Sequence, residues 1–434
     1  METARHFDGV DDIDTPVTID DDALHKFATD ITQSILSNKS LEVTEWDADG
    51  WHYSGKNYKN LLRERGQIQN EHHNELMRME RVALYVLALD AINFCFWPTL
   101  TSAPGVSVKN GLEYDHLAIA LKKLAEADDD IVDREGETVD VVAKIVQASS
   151  AYALSPLSLS TLTPESLYSM LKAHFPPSTS LYDDSGAEVS TIYHLPNIEQ
   201  RCRLLNELGD GLIMYHNSSA INMISKANKS ADALVGIILE TFPGFRDYVD
   251  ISDSPDNSSN GDWETVKISP WIIHFYKRAQ IATADIWAAL GRCPGVTTKQ
   301  AGSNTDVCKF TDINLLTTFP DYRVPQILRH ARVLQYIPLL SDIVDKKEEL
   351  QKGCIDEISI RAGTVVAVEK IVQAVKENIL RNDGASEERS RNDLEKLADD
   401  VSAVTIDWYL WQQGEKLDRL NLLGQHHRVK TTFY

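Results

Sequence analysis

The stretch ELMRMERVALYVLALDAINFCFW, residues 75–97, constrains this chain more than any other. Read at 3.6 residues per turn, its apolar side chains cover more than one face, so a helix here has to be buried rather than laid half in water. Burying it takes several other helices, and the chain supplies them. Asp21 and Asp22 can cap ALHKFATDITQSIL. The short strand expected in GVSVKNGLEY precedes the helical HLAIALKKLAEA. In SPLSLSTLTPESLYSMLKAHF, Thr163 and Pro164 start a helix with Glu165 in its first turn. IEQRCRLLNELGDGLIMYH puts Leu204, Leu205, Leu208 and Leu212 on one face. Further helices are expected over SPWIIHFYKRAQIATADIWAAL (269–290), PQILRHARVLQY from Pro325, and DLEKLADDVSAVTIDWYLWQQGE (393–415). Strand-like alternation is sparse and no repeat is evident. The fold class is therefore mostly α: one large helical body over 21–434 with few short strands, preceded by a disordered acidic tail over 1–20. Residues 40–60 are polar and aromatic with weak periodicity. Residues 98–190 are the least regular, and 251–263 and 381–393 read as loops.

Charge narrows the function. A net charge of -22 argues against a nucleic-acid backbone as partner, because that binding draws on clustered Lys and Arg. The five cysteines, Cys95, Cys202, Cys293, Cys308 and Cys354, are scattered with no CxxC pair, which argues against a disulfide framework or structural zinc and for reduced thiols in the cytoplasm. The N-terminus lacks the apolar stretch of a secretory signal, and no apolar run approaches the roughly 20 residues of a membrane span. HH at 72–73 has no partner at metal-ligand spacing, so no metal is expected. Phosphate-loop, GxGxxG and GxSxG motifs are absent.

The remaining chemistry lies in aspartates set among aromatics. Asp312 can cap INLLTTF, and Asp321 can cap the helix entered through Pro325. Capping is the commoner role, but a carboxylate held ionised at a helix start also suits a developing cation, and the roles can coexist. Asp407 stands beside Trp408, Tyr409 and Trp411, as a ligand contact or as one hydrogen-bonded acid in an aromatic core. Arg278 and Asp285, seven apart on one helix, can form an ion pair.

Taken together, ALDAINFCFW, RLLNELG, FPGFRD, FYKRAQIATADIW, FTDINLLTTFPDYRVPQIL, EISIRAG, IDWYLWQ and HRVKTTFY resemble the queuosine-salvage family, in that family's order from about residue 72 to the end. The resemblance implies a helical fold similar to the helix-hairpin-helix DNA glycosylases, with 98–190 and 251–263 variable or inserted. It implies hydrolysis of queuosine 5′-monophosphate to queuine and ribose 5-phosphate, without metal or organic cofactor, without direct nucleic-acid or membrane partners. By position it makes Asp312 the catalytic aspartate, nucleophile or transition-state stabiliser, and Phe310 a base contact, with Asp407 and Trp408 at the queuine site. Gln412 stands where the family often has another acid, and a family histidine falls on His73 or His72. Asp285 and Asp321 join the expected substrate contacts, and Lys277 and Arg323 are candidates for the 5′-phosphate. A DNA-directed glycosylase and a non-catalytic nucleoside binder are the competing readings.

Overall fold

The structure, a computed structural model, describes residues 15–38, 40, 41, 43, 46–56, 71–97, 107–131, 152–182, 188–250, 272–292, 306–381 and 390–434. Helices dominate. In chain order they are α1 (Asp21–Asn38), α2 (Glu71–Ile92), α3 (Tyr114–Ile131), α4 (Pro156–Ser160), α5 (Pro164–Lys172), α6 (Ile198–His216), α7 (Ala220–Lys226) and α8 (Ala231–Thr241). There follow α9 (Lys277–Ile286), α10 (Arg323–His330), α11 (Pro338–Asp345), α12 (Ile355–Arg381), α13 (Arg391–Asp399) and α14 (Ala403–Arg419).

Short strands tie the helices together. β1 (Val17–Ile19) lies antiparallel to β7 (Leu334–Tyr336), with Val17 opposite Tyr336. β2 (Ser107–Asn110) runs parallel to β4 (Glu188–Ile192), which also pairs antiparallel with β3 (Thr179–Tyr182). β5 (Tyr248–Asp250) and β6 (Ile272–His274) are antiparallel, and β8 (Glu349–Leu350) and β9 (Arg428–Val429) are parallel. Among the described residues no helix is long and apolar enough to cross a membrane.

The apolar α2 is at the centre, as its sequence requires. Every side chain from Arg81 to Ile92 is buried, within a core that it shares with α6, α7, α8 and α9. Leu204, Leu205, Leu208 and Leu212 of α6 are all buried, as their shared face predicts. A second core joins α1, α10, α12, α13 and α14. The C-terminal carbonyls of α2, which a helix leaves without partners, are met by two buried arginines. Arg201 donates to Ile92 O, Phe94 O (2.5 Å) and Cys95 O (3.0 Å), and Arg278 donates to Ala91 O (2.5 Å). Arg278 therefore serves the α2 terminus and Gly244 O rather than Asp285, and the expected Arg278–Asp285 ion pair does not form.

Several expected boundaries move. The acidic tail was expected to reach residue 20, but Val17–Ile19 are a strand and Val17 is buried, since β7 offers it a partner; residues 1–14 lie outside the described residues. The helix expected over 269–290 begins only at Lys277, because Ile272–His274 pair with β5 and Tyr276 turns the chain with a φ of 50°. The helix expected over 393–415 is two: Ser402 breaks the run by capping α14 reciprocally with Thr405. The helix from Pro325 likewise ends at His330, and Leu334–Tyr336 continue as β7. Thr163 caps α5 as expected, in a box completed by Ser166. The loop expected at 251–263 lies outside the described residues, as does 382–389 of the other.

Candidate active site

A cavity of about 520 Å³ opens where the two cores meet. One of its walls is a single stripe of α14. Asp407, Trp408, Trp411, Gln412, Glu415, Lys416 and Arg419 recur at the three- and four-residue spacing that stacks side chains on one helix face. At 1.5 Å per residue the stripe is about 18 Å long. It starts at Asp407, which is 4% exposed, and ends at Lys416 and Arg419, which are open to solvent. The cavity thus has a closed end and a mouth.

The closed end is built around the segment Thr317–Tyr322, which three buried groups hold. Gln280 accepts from Thr317 N (2.8 Å). Asp407 Oδ2 accepts from Thr318 Oγ1 (2.5 Å) and Phe319 N (2.8 Å). Arg361 of α12 donates from Nε to Pro320 O (3.1 Å) and grips Asp247 with both terminal nitrogens, at 3.0 and 2.5 Å. Asp247 also accepts from Lys277 N (3.3 Å), so one buried pair fixes both the segment before Asp321 and the start of α9. Arg361 is further sandwiched by Phe275 and the C-terminal Tyr434, 4.0 and 4.5 Å from their ring centres. FPGFRD, EISIRAG and the terminal TTFY are therefore the scaffold behind the site.

Asp321, at the end of this segment, lines the cavity. Its Oδ1 accepts from Arg323 N (2.8 Å) and Val324 N (3.1 Å), the first amides of α10, so it caps that helix as its position before Pro325 suggests. Its Oδ2 has no hydrogen-bond partner among the described residues. Lys277, Asp285 and Asp407 line the same cavity. Burial pulls the Lys277 ammonium below the usual lysine range, opposed first by Asp321 and then by Asp90. Burial, and next the charge of Asp90, hold the Asp285 carboxyl well above the usual carboxylate range. Burial, and next Asp321, push Asp407 up to about 7. Asp90 itself is raised to about 7 by burial; Asn93 beside it makes no hydrogen bond of normal geometry to either oxygen. Asp285, Asp321 and Asp407 thus line this end with Lys277, and burial holds Asp285 and Asp407 toward their protonated forms. Among the described residues they form no group spaced to hold a metal ion.

Asp312 is elsewhere. It lies outside the cavity lining, and it does not cap its own short turn, Ile313–Leu315. Its carboxylate instead holds the start of α8, accepting from Ser230 Oγ (2.6 Å) and Ala231 N (2.6 Å). Partial burial alone would raise its pKa, but these bonds bring it below the usual carboxylate range. Both oxygens of Asp312 are thus committed to the start of α8, away from the residues that line the cavity. Phe310 likewise packs into the first core instead of lining the cavity. The Phe-x-Asp spacing recurs nine residues on as Phe319–Pro320–Asp321, and both Phe319 and Asp321 do line it. Arg323 also lies outside the lining, its guanidinium paired with Glu415 (2.8 Å) and Asp418 (3.3 Å) and bonded to Gln326. The side chains of His72 and His73 lie outside the described residues. Trp408 and Gln412 line the cavity, and Trp408 stacks on Trp287 at 6.1 Å.

The mouth is built from residues that no motif marks in the sequence. Asp47, Trp51 and His52 come from the weakly periodic stretch after residue 40, and Tyr114 opens α3. The signal available for Lys416 and Arg419 was the i, i+4 continuation of the DWYLWQ face past Gln412.

On a helical frame, the cavity thus sets buried aspartates and one lysine at its closed end beneath aromatic walls. A family model described as queuosine salvage protein matches residues 72–158 and 185–434, and the chain belongs to that family. It is similar to the queuosine 5′-phosphate N-glycosylase/hydrolase of Dictyostelium discoideum, 30% identical over 420 residues that cover 96% of this chain and 94% of that one. It is also similar to the protein of the same name from Sphaerobacter thermophilus, 28% identical over 361 residues and 82% of each chain. The Bos taurus protein of that name is 33% identical over 241 residues, 55% of this chain and 59% of that one.

Proposed function

We propose that this chain hydrolyses the N-glycosidic bond of queuosine 5′-monophosphate, releasing queuine for tRNA modification and ribose 5-phosphate. The observation that carries the reading is Asp321, a carboxylate fixed by two helix-start amides with its second oxygen free toward a closed aromatic cavity. When the bond from C1′ to the base nitrogen breaks, its electron pair leaves with the base and the ribose becomes oxocarbenium-like. A carboxylate already in place gains most at that moment, since the positive charge is absent in the ground state. The 7-deazapurine lacks the N7 that ordinary purines can protonate, so departure depends more heavily on stabilising the cation.

In this reading Asp321 replaces Asp312 as the group that stabilises or attacks the sugar, and Phe319 replaces Phe310 against the base. Asp285, kept protonated by burial, is the candidate donor of the proton the leaving base needs; water then adds its hydroxyl to C1′ and its remaining proton returns to Asp285. Asp407, Trp408 and Gln412 hold the base. Lys277, the cation beside Asp321, orients the sugar phosphate. The test is to incubate the purified protein with queuosine 5′-monophosphate and follow queuine by mass spectrometry, with Asp321→Asn as control. Release by the wild type alone is expected. Undiminished release by the variant would move the chemistry to another residue, and no release by either would refute hydrolysis.

A further inference from the structure

At the mouth, three aromatic rings meet at near right angles. Trp51 and Trp411 are 5.6 Å apart between ring centres at 71°, Tyr114 and Trp411 are 5.6 Å apart at 78°, and Trp51 and Tyr114 are 6.4 Å apart at 72°. All three line the cavity. A cation sitting about 4–5 Å over each of three perpendicular faces requires centres roughly 6 Å apart, which is the separation found. The Arg419 guanidinium carbon is 5.9 Å from the Trp51 ring centre, so this ring already meets one positive charge.

Charges of both signs line the cavity around the rings, positive at Lys416 and Arg419 and negative at Glu415. Asp47 lines the cavity beside the rings. The one basic side chain of the segment that faces the cavity, His52, is pushed down to about 3 by burial and then by Lys122, so it is neutral. His52 Nδ1 accepts from Asp47 N (3.2 Å), which leaves the proton on Nε2 to donate to the Tyr114 hydroxyl at 2.9 Å and fix that ring. The segment is anchored from outside: Lys122 donates to Ala48 O and Gly50 O, both at 3.1 Å. It also precedes residue 72, where the family-model match begins.

We infer that Trp51, Tyr114 and Trp411, with Asp47, form a cage for the alkylammonium substituent carried on carbon 7 of the base, and so set the preference for the substituted base over plain 7-deazaguanine. This rests on the function proposed above. The cage lies toward the mouth and the carboxylates at the closed end, so a ligand spanning both has its glycosidic bond near Asp321 and its amine under Trp51.

The test measures binding of queuine and of 7-deazaguanine by calorimetry, for wild type, Trp51→Ala, Trp51→Phe and Asp47→Asn, beside wild-type turnover of queuosine 5′-monophosphate. Wild type is expected to prefer queuine. Trp51→Ala should cut that preference about tenfold, Trp51→Phe should keep most of it, and Asp47→Asn, which can still accept from Gly50 N, should lower it without unfolding risk. A preference unchanged in Trp51→Ala and Asp47→Asn, or equal losses for both bases, overturns the cage while leaving turnover and the proposed reaction intact. Wild type that releases no queuine and binds neither base overturns both.

Discussion

Exchanging Asp321 for Asn removes one charge and almost no volume. The Asn carbonyl can still accept from Arg323 N and Val324 N, so the start of α10 should survive. What is lost is the attraction between a carboxylate and a sugar cation. At about 4 Å and an effective dielectric near 20 that attraction is about 4 kcal/mol. Because it is present only in the transition state, the loss falls on kcat, by about 10³-fold, with the substrate's KM little changed. The comparison is Asp312→Asn, where the charge lost faces Ser230 and the α8 amides. That variant should keep kcat within about twofold and lose about 1 kcal/mol of stability as a weakened helix cap. Steady-state release of queuine, with thermal melts of both variants, decides it. If Asp312→Asn abolishes turnover while Asp321→Asn retains it, the assignment from cavity geometry is wrong.

Three further outcomes follow from the buried groups. Asp247→Ala leaves Arg361 buried without its partner and should cost about 3–5 kcal/mol, read as a lowered midpoint in urea or a much lower Tm; a change under 1 kcal/mol would mean the pair does not hold the site segment. Asp407 has its pKa raised from 3.8 to about 7, so the folded state keeps a proton that the unfolded state has already released. Its contribution is harmless below about pH 4, grows more unfavourable as pH rises through 4–7, and reaches a ceiling of about 4 kcal/mol above that. Asp407→Asn, which can still accept from Thr318 and Phe319, should therefore flatten the decline in Tm over that window, and an unchanged slope would count against the shift. Gly209→Ala would bring a Cβ within 2.4 Å of Pro156 O and 2.5 Å of Ser160 N, both backbone atoms, so α6 and α4 must part; a loss of about 1–3 kcal/mol is expected in chemical denaturation.

The sequence by itself determined the class of fold and the family. Apolar residues on all sides of 82–92 leave a helix no place but the interior, and the Leu204–Leu212 face and the Thr163 cap are local patterns that hold in any context. The family resemblance also pointed to Asp407, Trp408 and Gln412, and these line the cavity from one face of their helix. The sequence did not distinguish Phe310–Thr311–Asp312 from Phe319–Pro320–Asp321, two triplets of the same pattern nine residues apart in similar apolar surroundings. Only the tertiary structure separated them. Asp312 meets the unpaired amides of α8, a helix more than 70 residues earlier in the chain, whereas Asp321 is swung into the cavity by Arg361 and Asp407, from helices that follow it. The wall made by Trp51 and His52 was hidden for the same reason: nothing within residues 46–56 says that Tyr114 and Trp411 will close on it. Helix and cap arise from neighbours along the chain, but a cavity belongs to groups that only packing brings together.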